Sequence, residues 1–234
     1  MNLKDYQHIF KLDPAKEISD DELMQICESG TDAVIIGGSD DVTEDNVLNL
    51  MSRVRRYAVD CIQEPNDIEV ATLGFDGYIF PYMIQSKEVQ FHTGYLFEGI
   101  RSYGHMIDYS SIEWVPYIVT NDKAKVFHAA KCHTVVQDDD LLSYIDILDK
   151  VMKSPYIYIE HSGDLIDIER LKMIREQVTH SHIIYGGGIT NERIAIEVMQ
   201  YVDTIIVGNG VYEGIKSALK TCLLYTSPSP RDRG

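Results

Sequence analysis

Basic residues are scarce in this chain. Lysine and arginine number 21 against 37 aspartates and glutamates, for a net charge of −16. That balance excludes a general nucleic-acid binder, which needs a basic stripe to neutralise phosphates. A small phosphorylated ligand needs only local donors and stays open. Cysteine is nearly as sparse. Cys27, Cys61, Cys132 and Cys222 are scattered without a CxxC or Cys/His spacing, so neither a zinc site nor a disulfide framework is expected. Reduced thiols in the cytoplasm are the expectation. No run of about 18 apolar residues occurs, which removes a membrane-spanning helix. No long apolar segment follows Met1–Asp5, so no secretory leader is predicted. Hydrophobic residues at 44% and charged residues at 25% are ordinary for a soluble globular protein. A length of 234 residues fits one barrel domain more readily than two.

Glycine, by contrast, is placed with purpose. Tyr185-Gly186-Gly187-Gly188-Ile189-Thr190 is answered about twenty residues later by Ile206-Val207-Gly208-Asn209-Gly210. Each follows a short apolar run and precedes an amphipathic stretch. Such glycines let backbone approach a ligand, and a helix N-terminus offers unpaired N–H groups to an anion. Two in succession near the C-terminus predict a phosphate site made by the last two βα-loops of a (β/α)8 barrel.

The rest of the pattern agrees. Strands are predicted at 8–12, 33–36, 59–63, 78–84, 115–120, 156–160, 182–185 and 204–207. Most are continuous apolar runs, as a parallel sheet buried on both faces requires. Ser19-Asp20-Asp21-Glu22 is a capping box, Thr43-Glu44-Asp45 opens a second helix, and Thr190-Asn191-Glu192 opens another. The fold class is therefore α/β, a TIM barrel. It is modified in one place: the segment 64–76 contains Pro65 and Gly74 and is short for a helix with two loops. The helix after strand three is expected to be degenerate or missing. The last residues, 222–234, abandon the periodicity and resemble the translation of a sequencing adapter. The barrel domain is assigned to 1–221, with 222–234 a non-native or disordered tail.

In such barrels chemistry sits where strands end. Strand one ends in Lys11-Leu12-Asp13, whose alternate side chains share one side. They suit a phosphate and a hard cation respectively; the competing reading, favoured on spacing alone, is a surface ion pair before a turn. Strand two ends Gly37-Gly38-Ser39-Asp40, and its hydroxyl or carboxylate suits a Mg2+ that keeps several waters, or caps the following helix. On strand six, Tyr158, Glu160 and Ser162 share one side. A carboxylate among Tyr and Ile is costly unless it binds something. His161 alternates to the other side, where a structural role competes with a catalytic one. Finally, Phe91, Tyr95, Gly99 and Tyr103 step by four. On a helix they form one stripe, and the gap at Gly99 is either a packing accommodation or room for a long apolar ligand.

Taken together, His8–Pro14, Asp32–Asp40, Tyr185–Ile189 and Ile206–Asn209 resemble the geranylgeranylglyceryl phosphate synthase family, and within it the bacterial PcrB-type heptaprenylglyceryl phosphate synthases. The resemblance covers about residues 6–221. It implies a modified TIM barrel acting as a homodimer. The implied reaction is Mg2+-dependent transfer of a polyprenyl group, heptaprenyl in the bacterial branch, from its diphosphate to the C3 hydroxyl of sn-glycerol 1-phosphate. By position it implies that Lys11, Tyr158, Ile159, Glu160, His161, Ser162, Gly163, Gly188, Gly208 and Asn209 bind glycerol phosphate, with Glu160 catalytic. Asp13 and Ser39 would serve Mg2+, and Gly99 and Tyr103 would border the prenyl groove. A peripheral membrane contact for the lipid product follows from the same reaction. The chain departs from the family in having His161 where Tyr is usual, Glu64-Pro65-Asn66 after strand three, and His92-Thr93 in place of a tryptophan-containing run. Alternatives are another phosphate-binding barrel, such as a sugar-phosphate epimerase or synthase, and a ligand-binding barrel without catalysis.

Overall fold

Eight parallel strands close into a barrel in sequence order: β1 (His8–Leu12), β2 (Ala33–Ile36), β3 (Asp60–Gln63), β4 (Gly77–Met83), β5 (Ile112–Val119), β6 (Tyr156–Glu160), β7 (His182–Gly186) and β8 (Thr204–Val207), with β8 pairing back onto β1. The computed structural model describes residues 1–65, 67, 70–134 and 137–222. Of the tail 222–234, only Cys222 falls within that range. The helices are α1 (Asp20–Cys27), α2 (Glu44–Val54), α3 (Gly94–Tyr103), α4 (Lys125–Ala129), α5 (Asp138–Asp146), α6 (Ile168–Gln177), α7 (Glu192–Val198) and α8 (Asn209–Leu219). Among the described residues no α-helix lies between β3 and β4, as Pro65, Gly74 and the short connection led us to expect.

Local chemistry explains the helix starts. Ser19 and Glu22 close a reciprocal capping box on α1, Thr43 and Asn46 do so on α2, and Asn191 accepts from Ile194 N at the head of α7. The π-helical turn Ile147–Val151 that continues α5 has a packing consequence. It aims buried Asp149 at the loop before β7, where the carboxylate accepts four hydrogen bonds: Thr179 N at 3.0 Å, Thr179 Oγ1 at 2.7 Å, His180 N at 2.9 Å and Ser181 N at 2.8 Å.

The period of two sorts side chains into two layers. Ile9, Ile35, Ile62, Ile79, Tyr117, Tyr158 and Ile184 fill the barrel interior together with Leu3, which comes from the 3-10 helix Leu3–Asp5. Phe10, Leu12, Val34, Ile36, Ile157 and Ile159 face the helices. Each fully buried aliphatic side chain contributes about 1.5–3 kcal/mol. The mostly exposed ion pairs contribute up to about 1 kcal/mol each, so these two layers carry the stability. His8 belongs to the outer layer and is fully buried. Its Nδ1 lies 2.9 Å from Thr31 Oγ1 and its Nε2 2.9 Å from Thr221 Oγ1, beyond the end of α8.

One expected element is divided. Phe91 is not on the helix that carries Tyr95, Gly99 and Tyr103; it ends a separate 3-10 turn, Val89–Phe91. The ring of His92 bonds the Ser86 carbonyl at 2.9 Å, turning the chain before α3, whose N-cap is Thr93. Phe91 and Tyr95 still meet edge to face at 5.6 Å. No helix among the described residues is long and apolar enough to cross a membrane.

Candidate active site

Because β1 and β6 alternate inward and outward, the inward set that fills the barrel continues past the last ladder bonds into its mouth. There the side chains stop being aliphatic. A cavity of about 710 Å3 opens at this end. Lys11, Asp13, Ser39, Tyr158, Glu160, Ser162, Gly163, Gly188, Gly208 and Asn209 all line it. Ile159 does not, since it packs in the outer layer. Nor does His161, whose Nδ1 lies 2.8 Å from Thr120 Oγ1 and whose N–H donates to the Gly186 carbonyl at 2.7 Å. Its burial lowers its pKa from the ordinary histidine value, favouring the neutral ring. The departure from tyrosine at 161 therefore lies outside the cavity wall. Gly99 is buried within α3 and Tyr103 is 48% exposed; neither borders the cavity.

The centre of the mouth is a buried ionic cluster. Lys11 Nζ sits 2.5 Å from Glu64 Oε1, and the Tyr117 hydroxyl donates to Glu64 Oε2 at 2.6 Å. The Tyr117 and Tyr158 rings stack at 4.1 Å. Glu160, at 5% exposure, accepts from Ser162 N at 2.7 Å and also from the Ser162 hydroxyl. Burial raises the pKa of Glu160 against the opposing pull of Lys11 and the Ser162 bonds. Burial likewise pushes the Tyr158 hydroxyl well up, aided by Glu160, so it remains a donor. For Lys11, burial works against the charge, but Glu64 and Glu160 outweigh it and the ammonium persists. The geometry thus offers one cation, two tyrosine donors and one raised carboxylate: the parts of an anion anchor beside a general base.

Beside this cluster, closing the ring between β6 and β1, lie the glycine loops. Gly187 and Gly188 hold φ of +150° and +61°, and +61° in particular is a left-handed conformation that favours glycine. Helix α8 starts at Asn209 with Gly208 as its cap and no side chain accepting from its first turn. Its leading amides are left for an anionic ligand. Lys16 reaches this edge, donating to Asn209 Oδ1 at 3.3 Å and lying 4.6 Å over the Tyr212 ring. The Tyr212 hydroxyl accepts from Asp13 N at 2.9 Å. Four lysines, Lys11, Lys16, Lys123 and Lys125, border the cavity of an otherwise acidic chain. Among the described residues no group of three or more His, Cys, Asp or Glu is arranged to hold a metal. Asp13, Ser39 and Asp40 supply hard oxygen donors on one side of the mouth.

The family model described as the PcrB family matches residues 1–224. The chain belongs to the PcrB family. A Bacillus cereus (strain B4264) protein named heptaprenylglyceryl phosphate synthase is 44% identical over 220 residues, covering 94% of this chain and 96% of that one. Among solved structures, wild-type GGGPS from Thermoplasma volcanium aligns with a TM-score of 0.79 at 21% identity, covering 93% of this chain and 91% of that one. The Thermoplasma acidophilum (S)-3-O-geranylgeranylglyceryl phosphate synthase, crystallised with sn-glycerol 1-phosphate, aligns with a TM-score of 0.77 at 19% identity and 93% coverage of both chains. At those identities the structures attest the barrel fold that this PcrB-family chain shares with them.

Three residues of the PcrB-family cavity escaped the strand-end reading. Glu64 follows β3 and so obeys the same rule as Glu160, but it stands in a segment singled out as irregular and as a departure from the family, with no role assigned. Tyr117 is embedded in an apolar strand and looks like core. Tyr212 lies on α8, nearly two hundred residues from the Asp13 it touches, and no local pattern announces that contact.

Proposed function

We propose that this PcrB-family chain transfers a polyprenyl group from its diphosphate to the C3 hydroxyl of sn-glycerol 1-phosphate, forming an ether and releasing pyrophosphate. The observation that carries the reading is the 44% identity to a heptaprenylglyceryl phosphate synthase along 94% of the chain. The buried carboxylate of Glu160, sharing one cavity with the glycine loops beside it, supports it. In this reading Gly188, Gly208 and Asn209 hold the glycerol phosphate by its anion, and Lys11 and Ser162 position it. The C3 oxygen attacks the first prenyl carbon, that carbon's bond to the diphosphate oxygen breaks, and the hydroxyl proton passes to Glu160. Holding both substrates in one site supplies the large proximity contribution of a two-substrate reaction.

Asp13 and Ser39 fit Mg2+. That ion keeps several waters and takes the rest of its oxygen ligands from substrate phosphates, so one carboxylate and one hydroxyl suffice from the protein. When bound, it neutralises the diphosphate and makes pyrophosphate a better leaving group. The donor is a long chain, heptaprenyl by analogy with the bacterial relative's name. In this reading the prenyl tail extends past the cavity lining toward α3, with Gly99 and Tyr103 as the border of its path. The catalytic unit spans residues 1–221 and works as a cytoplasmic homodimer, with peripheral contact to the membrane where its long-chain donor and product dissolve.

The test is an incubation with labelled sn-glycerol 1-phosphate, Mg2+ and prenyl diphosphates from about C15 to C35, followed by organic extraction. Label in the organic phase, greatest with the longest donors, is expected. No extractable label with any donor overturns the reaction; a preference for short donors overturns only the chain length.

A further inference from the structure

Glu64 binds two donors at once, Lys11 Nζ on one oxygen at 2.5 Å and the Tyr117 hydroxyl on the other at 2.6 Å. Its backbone is equally constrained. The Glu64 N–H extends the β2–β3 ladder to the Ile36 carbonyl at 3.0 Å. The chain passes so near Gly37 that a Cβ there would lie 2.8 Å from the Glu64 carbonyl oxygen. The side chain is only 12% exposed. Burying a carboxylate in this way is costly and is tolerated only with partners in good geometry.

One ammonium thus acts on two largely buried carboxylates, and its hydrogen bond goes to Glu64, while Glu160 accepts from Ser162 and has the Tyr158 hydroxyl as a further partner. The groups acting on Glu160 come from five directions: Lys11 on β1, Glu64 after β3, Tyr117 on β5, Tyr158 and Ser162 on and beyond β6, and Tyr185 on β7.

We infer that Glu64 is a positioning residue for the reaction proposed above: it takes the Lys11 ammonium into its own hydrogen bond, leaving Glu160 with no hydrogen-bonded cation and able to accept the hydroxyl proton. Burial first, and then the Glu64 charge, favour the protonated form of Glu160, whereas Lys11 opposes it. Removing the Glu64 charge takes away one upward influence and frees the opposing cation. Both changes weaken Glu160 as a base.

The experiment is an infrared titration of Glu160 in the ligand-free protein, its carboxyl band assigned by difference against Glu160→Gln. In Glu64→Gln the Glu160 midpoint falls by about one pH unit or more, and Glu64→Asp, which keeps the charge, restores part of it. Gly37→Ala retains every ionisable group but displaces the Glu64 backbone. It lowers the midpoint in the same direction, and it decides the matter should the Glu64 variants fail to fold. A midpoint at or above the wild-type value overturns the role of Glu64. The titration requires no turnover, so it stands apart from the reaction itself; a wild-type protein without prenyl transfer overturns the reaction alone. In the active enzyme the same change moves the acid limb of kcat to lower pH and reduces kcat about tenfold, with a smaller effect on KM for glycerol phosphate. An unmoved acid limb with unchanged kcat overturns the inference as well.

Discussion

A Cβ placed on Gly38 would fall 2.5 Å from Asp13 Oδ1 and 2.8 Å from its Cγ. The end of β1 and the loop after β2 meet at this point, and the carboxylate occupies space that any other residue at 38 would claim. Gly38→Ala should therefore move Asp13 without touching its charge. The expected outcome is a rise of about tenfold in the Mg2+ concentration giving half-maximal activity, with the thermal unfolding midpoint little changed. An unaltered Mg2+ dependence would remove Asp13 from the metal-holding role.

Replacing Glu160 by Gln keeps the shape and the capacity to bond Ser162 while removing the base. The expected loss in kcat is about 10²- to 10⁴-fold, with binding of sn-glycerol 1-phosphate, measured by calorimetry, changed far less. Full activity in Glu160→Gln would show that the proton leaves by another route.

The buried His8 makes stability depend on acid. Burial lowers its pKa from the ordinary 6.5 to about 4, because the closed pocket strips the charged ring of solvent. The unfolded chain binds the proton more readily, so stabilisation is complete above about pH 6.5 and is lost as pH falls toward 4. The shift corresponds to about 3 kcal/mol. His161 and His182 are lowered in the same direction, so the measurement is a comparison: urea unfolding at several pH values, wild type against His8→Gln. The variant should be less stable at neutral pH and show a shallower acid slope. Parallel slopes would count against His8.

Asp149 makes a separate demand. Burial acts to raise its pKa, but the hydrogen bonds from Thr179, Ser181 and His180 prevail and hold it far below the usual carboxylate range. Asp149→Asn puts an amide donor against backbone donors and should cost about 2–3 kcal/mol, read as a lower denaturant midpoint. Activity per folded molecule should be retained, since Asp149 is not among the residues lining the cavity. A midpoint equal to that of wild type would mean the loop before β7 finds other partners.

The barrel and half of its mouth were legible from the chain because both obey a period. Continuous apolar runs set off by capping boxes mark strands and helices, and alternation carries the inward side of β1 and β6 out to Lys11, Asp13 and Glu160. What escaped depends on closure. That Glu64 reaches Lys11 and Tyr117 follows from bringing β1, β3 and β5 around one axis, which no local spacing encodes. Phe91 was misjudged for the opposite reason: its spacing of four was real, but one bond from His92 to Ser86 interrupts the helix that the spacing implied.

The stitching of Tyr212 and Lys16 across the barrel seam has a thermodynamic consequence. The loop that follows β1 is fastened to the first turn of α8, through Tyr212 with Asp13 and through Lys16 with Asn209. A ligand that stiffens one of these partners lowers the entropic cost of engaging the other. By reciprocity each substrate then changes the other's dissociation constant by an equal factor. The expected reading is a dissociation constant for one substrate that shifts when the other is bound, with no moving lid required.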